Sequence, residues 1–350
     1  MKKIRIFLGG YVNYPNAQNI NCDYIAKYLS KDKFEVHTMY SSKKAIDKKY
    51  YKTHDIHLHK LIHHRFIWYW SKWLTMRFGR YDMYYLPKME SVDRNFSNQF
   101  KNKKCFIASV EGVITDSSNN LREFVSYYMD NMTDFFSISN CIAESVEKYW
   151  GRMTQVLPLG VEGGGGKKQS RKEISNIIWV GNVKSNKRPH YFIRCAECFP
   201  EIMFTMVGDG DLLANIQEIC TKQKLNNVKF TGRIPNEKVY DYMQDSDLLL
   251  MTSEYEGLPK VIQEAAQCGL PSIYINERYR VDFVEDHVNG FAVGNLEQMI
   301  EKIQYLLDNP EVHQAMSKAA YDIIQDYTWE KLIKSYEEYF NMQYEKSRKK

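Results

Sequence analysis

The feature that most limits the fold is a pattern that occurs twice along the chain: short, nearly continuous apolar runs separated by stretches of helical length. In the first half the runs are KIRIFLG (3–9), FEVHTMY (34–40), DMYYL (82–86), KCFIASV (104–110), FFSIS (135–139) and QVLP (155–158). In the second half they are IIWVG (177–181), IMFTMVG (202–208), VKFTG (228–232), DLLLM (247–251), SIYI (272–275) and GFAV (290–293). Strands that are apolar on both faces need cover on both faces, which is the situation of parallel strands packed between helices. The pattern therefore predicts two α/β domains, each a doubly wound parallel sheet, with ligands expected at the carboxyl ends of the strands.

At 350 residues the chain exceeds what one hydrophobic core ordinarily serves. The polar, glycine-rich stretch LGVEGGGGKKQSRKEIS (159–175) is the natural link between the two halves. Its four consecutive glycines, Gly163 to Gly166, read either as an introduced loop replacement or as a natural linker. The expected division is 1–160, 161–325 and a last helical segment 326–350 that packs back toward the first domain. Thr328 is the expected N-cap of the final helix.

Composition narrows the class. The chain is 44% hydrophobic and 26% charged, as globular proteins are. It has no apolar run of the length that spans a bilayer, and its start reads as a first strand and not as a signal peptide. Seven scattered cysteines suit a reducing compartment, so a cytoplasmic location is expected, with peripheral attachment to the membrane as an extension of it. The net charge of +5 is unevenly spread: residues 1–160 carry 24 Lys and Arg against 15 Asp and Glu. A basic first half favours an anionic partner or surface. No nucleic-acid-binding motif accompanies it, so nucleic acid is not expected.

The stretch SEYEGLPKVIQEAAQCGLPS (253–272) carries the chemistry. It follows the strand DLLLM and leads into a helix expected from about Leu258 to Cys268, with Pro259 in its first turn. A strand end that feeds a helix N-terminus is an anion site, because the first N–H groups are free and the helix dipole favours negative charge. Gly257 lets a ligand approach the backbone closely. Glu256 and Glu264 stand eight positions apart, about 12 Å if the whole stretch is helical. That is too far for them to share a proton or a metal, but it suits two carboxylates gripping the hydroxyl-bearing ends of a long ligand with phosphates between. A nucleotide-diphosphate sugar has that layout, with Glu256 on the sugar and Glu264 on the ribose. Lys184, Lys187 and Arg188 lie at the strand-to-helix junction after IIWVG, where Lys187 or Arg188 can neutralise the leaving nucleotide without a metal. VGDGDL and FTGRIP place glycine turns at two more strand ends.

Together these segments resemble a family 4 glycosyltransferase of the "glycosyl transferases group 1" type, with the GT-B fold of two Rossmann-like domains facing a central cleft. The matching segments are SISNCIAESVEKYW…QVLPLGVE, WVGNVKSNKRP, VGDGDL, VKFTGRIPNEKVYDYMQDSDLLLMTSEYEGLPKVIQEAAQCGLPSI and VNGFAV, in the family's order. The resemblance implies a retaining hexosyltransferase that needs neither cofactor nor metal. Its donor would be a nucleotide-diphosphate sugar, UDP-sugar favoured, and its acceptor a hydroxyl of a glycan, glycolipid or cell-surface polymer. It implies that Glu256 contacts the donor sugar, Glu264 the ribose and Lys187 the phosphates. Gly208, Gly257 and Leu258 belong to the donor-binding turns, and Arg233 and Ile234 to the loop that meets the base. Gly9 and Gly10 form the glycine loop after the first strand. Two positions depart from the family's pattern: Asn182 stands where an arginine is usual, leaving Arg188 or Lys184 to supply the charge, and Glu111 stands where a histidine is common. Glu111 reads equally as a sugar or acceptor contact and as a structural turn carboxylate.

Rival readings are a sugar-nucleotide epimerase or hydrolase of the same fold, and a non-catalytic sugar-nucleotide binding protein. A dehydrogenase is disfavoured, because GGYVNYPN lacks the G-x-G-x-x-G spacing. Residues 57–80 mix aromatic and basic side chains: Ile62, Phe66, Tyr69, Trp70, Trp73 and Leu74 at helical spacing, with Lys60, Arg65, Lys72, Arg77 and Arg80. They read as a core-facing helix with a solvated face, or as a helix on an anionic membrane surface. His54, His57, His59, His63 and His64 lack a cysteine or carboxylate at metal-ligand spacing, and Cys195 and Cys198 form a lone pair inside a helix. Neither group is expected to hold a metal.

Overall fold

The computed structural model describes residues 2–349 except 15, 63, 65, 66, 120, 121 and 164–172. His63, Arg65, Phe66 and Gly164 to Gly166 thus lie outside the described residues. The chain divides into two compact units, residues 1–160 with 329–350, and residues 161–328.

The first unit holds β1 (Ile4–Tyr11), β2 (Phe34–Ser41), β3 (Ile56–Leu61), β4 (Met83–Tyr85), β5 (Cys105–Val110) and β6 (Asp134–Ser137) in the order β3-β2-β1-β4-β5-β6. The second holds β7 (Asn176–Val180), β8 (Met203–Val207), β9 (Val228–Gly232), β10 (Leu248–Met251), β11 (Ser272–Ile275) and β12 (Gly290–Val293) in the order β12-β11-β10-β7-β8-β9. Every strand pair is parallel. Both sheets follow one scheme: the first and fourth strands of each unit are neighbours, and the chain winds outward from them in opposite directions. The crevice where the winding reverses lies beyond β1 and β4 in one unit, and beyond β7 and β10 in the other. The central strands are apolar on both faces, as their position requires; β5 and β10 are buried along their whole length.

Three local readings need correction. Residues 56–61 form β3, paired with β2 from Val36↔Ile56 to Ser41↔Leu61, and the helix begins only at Trp68. The run opens IHLH, alternating apolar and polar side chains, a two-residue period that outweighs the helical spacing downstream. QVLP makes one bridge, Val156 with Ser137, and no strand. The helix after β10 spans Lys260–Gln267, so Pro259 is its N-cap, and residues 256–259 form a loop whose span the helical rise does not give.

The last helix, Trp329–Arg348, directly follows Thr328 and belongs to the first unit. Tyr336 Oη donates to the carbonyls of Leu157 (3.0 Å) and Pro158 (3.2 Å), and the backbone N–H of Ser30 donates to Glu337 (2.7 Å). Trp329, Tyr336 and Phe340 are fully buried, a large apolar contribution to that core.

Candidate functional site

In the second unit, the loops leaving β7 and β10 are stitched together at the reversal point. Trp179 Nε1 donates to Thr252 Oγ1 (3.0 Å), which donates to the Lys187 carbonyl (2.6 Å), while the Glu254 N–H donates to the Asn186 carbonyl (2.9 Å). The fixed loops bring Lys187 Nζ into an ion pair with Glu256 Oε1, both side chains half-buried. These residues are 69 positions apart in sequence, and only the pairing of β7 with β10 makes them neighbours.

Lys187 and Glu256 line a cavity of about 300 Å³ together with Gly181, Asn182, Leu258, Pro259, Lys260 and Glu264, among others. One wall is the N-terminal turn of the helix Lys260–Gln267, whose N-cap, Pro259, makes no side-chain hydrogen bond to it. Glu264 reaches the same cavity from the next turn. Burial pushes its carboxyl up to about 7, against the opposing pull of Lys260, and it accepts no hydrogen bond from the described residues. A desolvated carboxylate without donors is costly by itself and suits a ligand that brings hydroxyl groups.

A second concavity of about 480 Å³ adjoins the first, sharing Gly181, Asn182 and Asn236, and is lined further by Lys184, Gly208, Gly210, Arg233 and Ile234. Gly208 is obligatory there. Its φ is +138°, and a Cβ on it would lie 1.9 Å from the Gly181 carbonyl oxygen. Arg188 lines neither concavity; its guanidinium pairs with Glu277 Oε2 (2.7 Å). Of the two cations considered in place of the missing arginine, Lys184 is the one at the cavity wall.

The remaining site residues lie on the first unit. Gly9 and Gly10 form an irregularity at the carboxyl end of β1, where the register with β2 jumps between Leu8 and Tyr11. A Cβ on Gly10 would lie 2.6 Å from that of Cys22, so the turn requires glycine. Glu111, just past β5, accepts from Ser109 Oγ (2.8 Å) and from Asn21 Nδ2 at 3.5 Å.

Residues 166–323 match the sequence profile of the family described as Glycosyl transferases group 1. The second half of this chain is thus similar to that family. An uncharacterized glycosyltransferase of Haemophilus influenzae is 29% identical over 177 residues, 48% of this chain and 50% of that protein. The UDP-Gal:alpha-D-GlcNAc-diphosphoundecaprenol alpha-1,3-galactosyltransferase of Escherichia coli is 28% identical over 152 residues, 40% of this chain and 38% of that protein. The aligned stretch thus spans half or less of these curated relatives. The structure of Anabaena HepE, solved in complex with UDP and glucose, superposes with a TM-score of 0.80 at 18% identity, covering 97% of this chain and 99% of that one. At that identity the likeness establishes the fold, which is GT-B.

Outside the group 1 region, the structure assembles one cluster that the sequence reading missed. Lys72 is fully buried, and its Nζ donates to the Gly9 carbonyl (3.1 Å) and pairs with Glu90 Oε2 and Asp93 Oδ1 (both 2.8 Å). Tyr11 Oη also donates to Glu90 Oε2, and Lys88 pairs with Glu90 Oε1 (3.0 Å). Burial opposes the charge on Lys72, but the carboxylates outweigh it and hold the ammonium well above its usual range. The signal available was a lysine amid Trp and Met at 68–78, which the basic composition disguised.

The histidine cluster also changes membership. His57 on β3 faces Glu35 and His37 on β2, so strand pairing supplies the carboxylate that sequence spacing lacked. Their ligand atoms lie within 4.8 Å of one another. Glu35 Oε1, however, already accepts from Arg5 Nε (3.0 Å) and is hydrogen-bonded to His37 Nε2 (2.8 Å), while His37 Nδ1 is engaged with His59 Nε2 (3.0 Å). The guanidinium stands where a cation would need the carboxylate. Cys195 is buried and Cys198 exposed, both free thiols.

Proposed function

We propose that the protein transfers a sugar from a nucleotide-diphosphate sugar, UDP-sugar favoured, to a hydroxyl of a glycan, glycolipid or cell-surface polymer. The observation that carries this reading is the Lys187–Glu256 pair lining one cavity with Glu264, which accepts no hydrogen bond from the described residues. Glu256 would hold the sugar hydroxyls, Glu264 the ribose, and the backbone at Gly208, Arg233 and Ile234 the base. Lys187, Lys184 and the N-terminus of the Lys260–Gln267 helix would stabilise the departing diphosphate without a divalent cation. In the reaction the bond from the anomeric carbon to the phosphate oxygen breaks and its electron pair leaves with the nucleotide. The acceptor oxygen bonds to that carbon, with retention of configuration, and loses its proton. Gly9 and Gly10 would contact the donor, and the acceptor hydroxyl would enter near Gly10 and Glu111.

The relatives support this substrate class: the Escherichia coli relative is a UDP-Gal-dependent galactosyltransferase, and HepE was crystallised with UDP and glucose. A thermal-shift series with UDP-, GDP- and ADP-sugars tests it, since a ligand that binds the folded state raises its melting temperature. A UDP-sugar is expected to give the largest shift, and product analysis should require an acceptor. If no nucleotide sugar shifts the melting temperature, the assignment is wrong. Turnover without an acceptor would point instead to the epimerase or hydrolase reading.

A further inference from the structure

The segment between β3 and β4 turns the usual amphipathic pattern outward. The helix Trp68–Phe78 buries Lys72 and Met76, whereas Trp70, Leu74 and Phe78 are 56%, 46% and 69% exposed. Spaced four residues apart, these three lie on successive turns of one face. Ile67 precedes Trp70 by three positions on the same face, and Ile62 lies against the helix through its N–H to Ser71 Oγ (3.2 Å); both are exposed. Five large apolar side chains in so short a segment form a patch that solvent alone does not explain.

The charge around the patch has one sign. No Asp or Glu occurs between Asp55 and Asp82, whereas Lys60, Arg77 and Arg80 are exposed. The Arg77 guanidinium sits 5.6 Å from the centre of the Phe78 ring, at the edge of the apolar stripe. The carboxylates that flank the segment in sequence or pair with its helix are engaged: Glu90 and Asp93 with Lys72, Asp82 with the Arg5 N–H, and Asp55 with Lys3.

We propose that this face docks on an anionic lipid surface, with Trp70, Leu74 and Phe78 entering the boundary between headgroups and acyl chains and Lys60, Arg77 and Arg80 binding lipid phosphates. An exposed apolar face edged by basic residues, with tryptophan at the polar boundary, is what interfacial helices present. A second copy of the chain is the poorer occupant. It would set cation against cation across a two-fold axis, and a stable protein interface takes about 20–30 residues a side. The placement does not depend on which sugar nucleotide the second unit takes.

The test is flotation of the full chain with vesicles of phosphatidylcholine alone and of phosphatidylcholine with phosphatidylglycerol. Binding is expected only with phosphatidylglycerol present, and salt should reverse it. The triple substitution Trp70→Ser, Leu74→Ser, Phe78→Ser should weaken binding on the order of a hundredfold. The single substitution Phe78→Glu, at the most exposed position, should weaken it in the same direction with little risk to the fold. Arg77→Gln with Arg80→Gln should cost about tenfold and flatten the salt dependence. Wild-type protein that stays below phosphatidylglycerol vesicles at low salt overturns the proposal, as does a Phe78→Glu protein that floats like wild type. A dimer in sedimentation velocity that Phe78→Glu dissociates, without vesicle binding, would assign the patch to a second copy.

Discussion

The two units share one strand order and one reversal point, yet treat the charges at that point in opposite ways. Beyond β7 and β10 the groups are open to a ligand: Lys187 and Glu256 line a cavity, and Glu264 stands desolvated without a hydrogen-bond donor among the described residues. Beyond β1 and β4 the ionic groups are turned inward. Lys72, Glu90, Asp93 and Tyr11 satisfy one another and fix the carbonyl of Gly9. The same topology thus makes a binding wall in one unit and a rigid brace for a glycine turn in the other. What separates them is whether a side chain from a neighbouring helix reaches the crevice; in the first unit Lys72 fills it.

The contrast breaks down if charges at the two points prove interchangeable, and the largest effect should show first. Glu256→Ala should lower kcat about a thousandfold while leaving the unfolding transition in place; steady-state kinetics beside thermal melts will show whether it does. Near-normal turnover would mean that the ion pair with Lys187 is structural, like its counterpart in the first unit. Lys72→Met should do the reverse and destabilise the fold by about 3–5 kcal/mol, because it leaves the fully buried Asp93 without its cation and Glu90 with Lys88 alone. Adding Asp93→Asn should recover part of that loss in urea melts.

Glu264 sharpens the comparison through pH. Its carboxyl is raised by burial to about 7 in the folded protein, above its unfolded value. The free folded form therefore holds a proton that the unfolded chain has released, and stability should fall as pH rises from about 4.5 to about 7. A donor that brings hydroxyl groups favours the ionised carboxylate, so its thermal shift should grow between about pH 6 and about pH 8. Glu264→Gln should remove that growth and weaken donor binding about tenfold.

The smallest effect belongs to the β2–β3 edge. Burial lowers His37 to about 4, with His57 and His59 adding to the effect and Glu35 opposing it. The unfolded chain binds that proton near 6.5, so stability should decline as pH falls from about 6.5 to about 4. His37→Gln should flatten the slope in melts across that range.

Sequence alone was enough for the second sheet and for all of the first except its edge strand β3. Eleven of the twelve apolar runs became strands in sheet positions; the exception was QVLP, a short run ending in proline. The convergence of these segments on the second unit's cavities was also legible, because EGLPKVIQE, NVKSNK, VGDGDL and TGRIP each sit at a strand end, and in a doubly wound sheet strand ends converge. Periodicity and turn chemistry are local properties, and local properties can be read from a string. Partnership between distant segments cannot. The pairing of β2 with β3 brought Glu35 and His37 to His57, and helix packing drove Lys72 inward and left Trp70, Leu74 and Phe78 outside. An aromatic-and-basic helix has two faces, and its sequence does not say which one its neighbours will cover. That was decided by two carboxylates waiting for a cation beneath it.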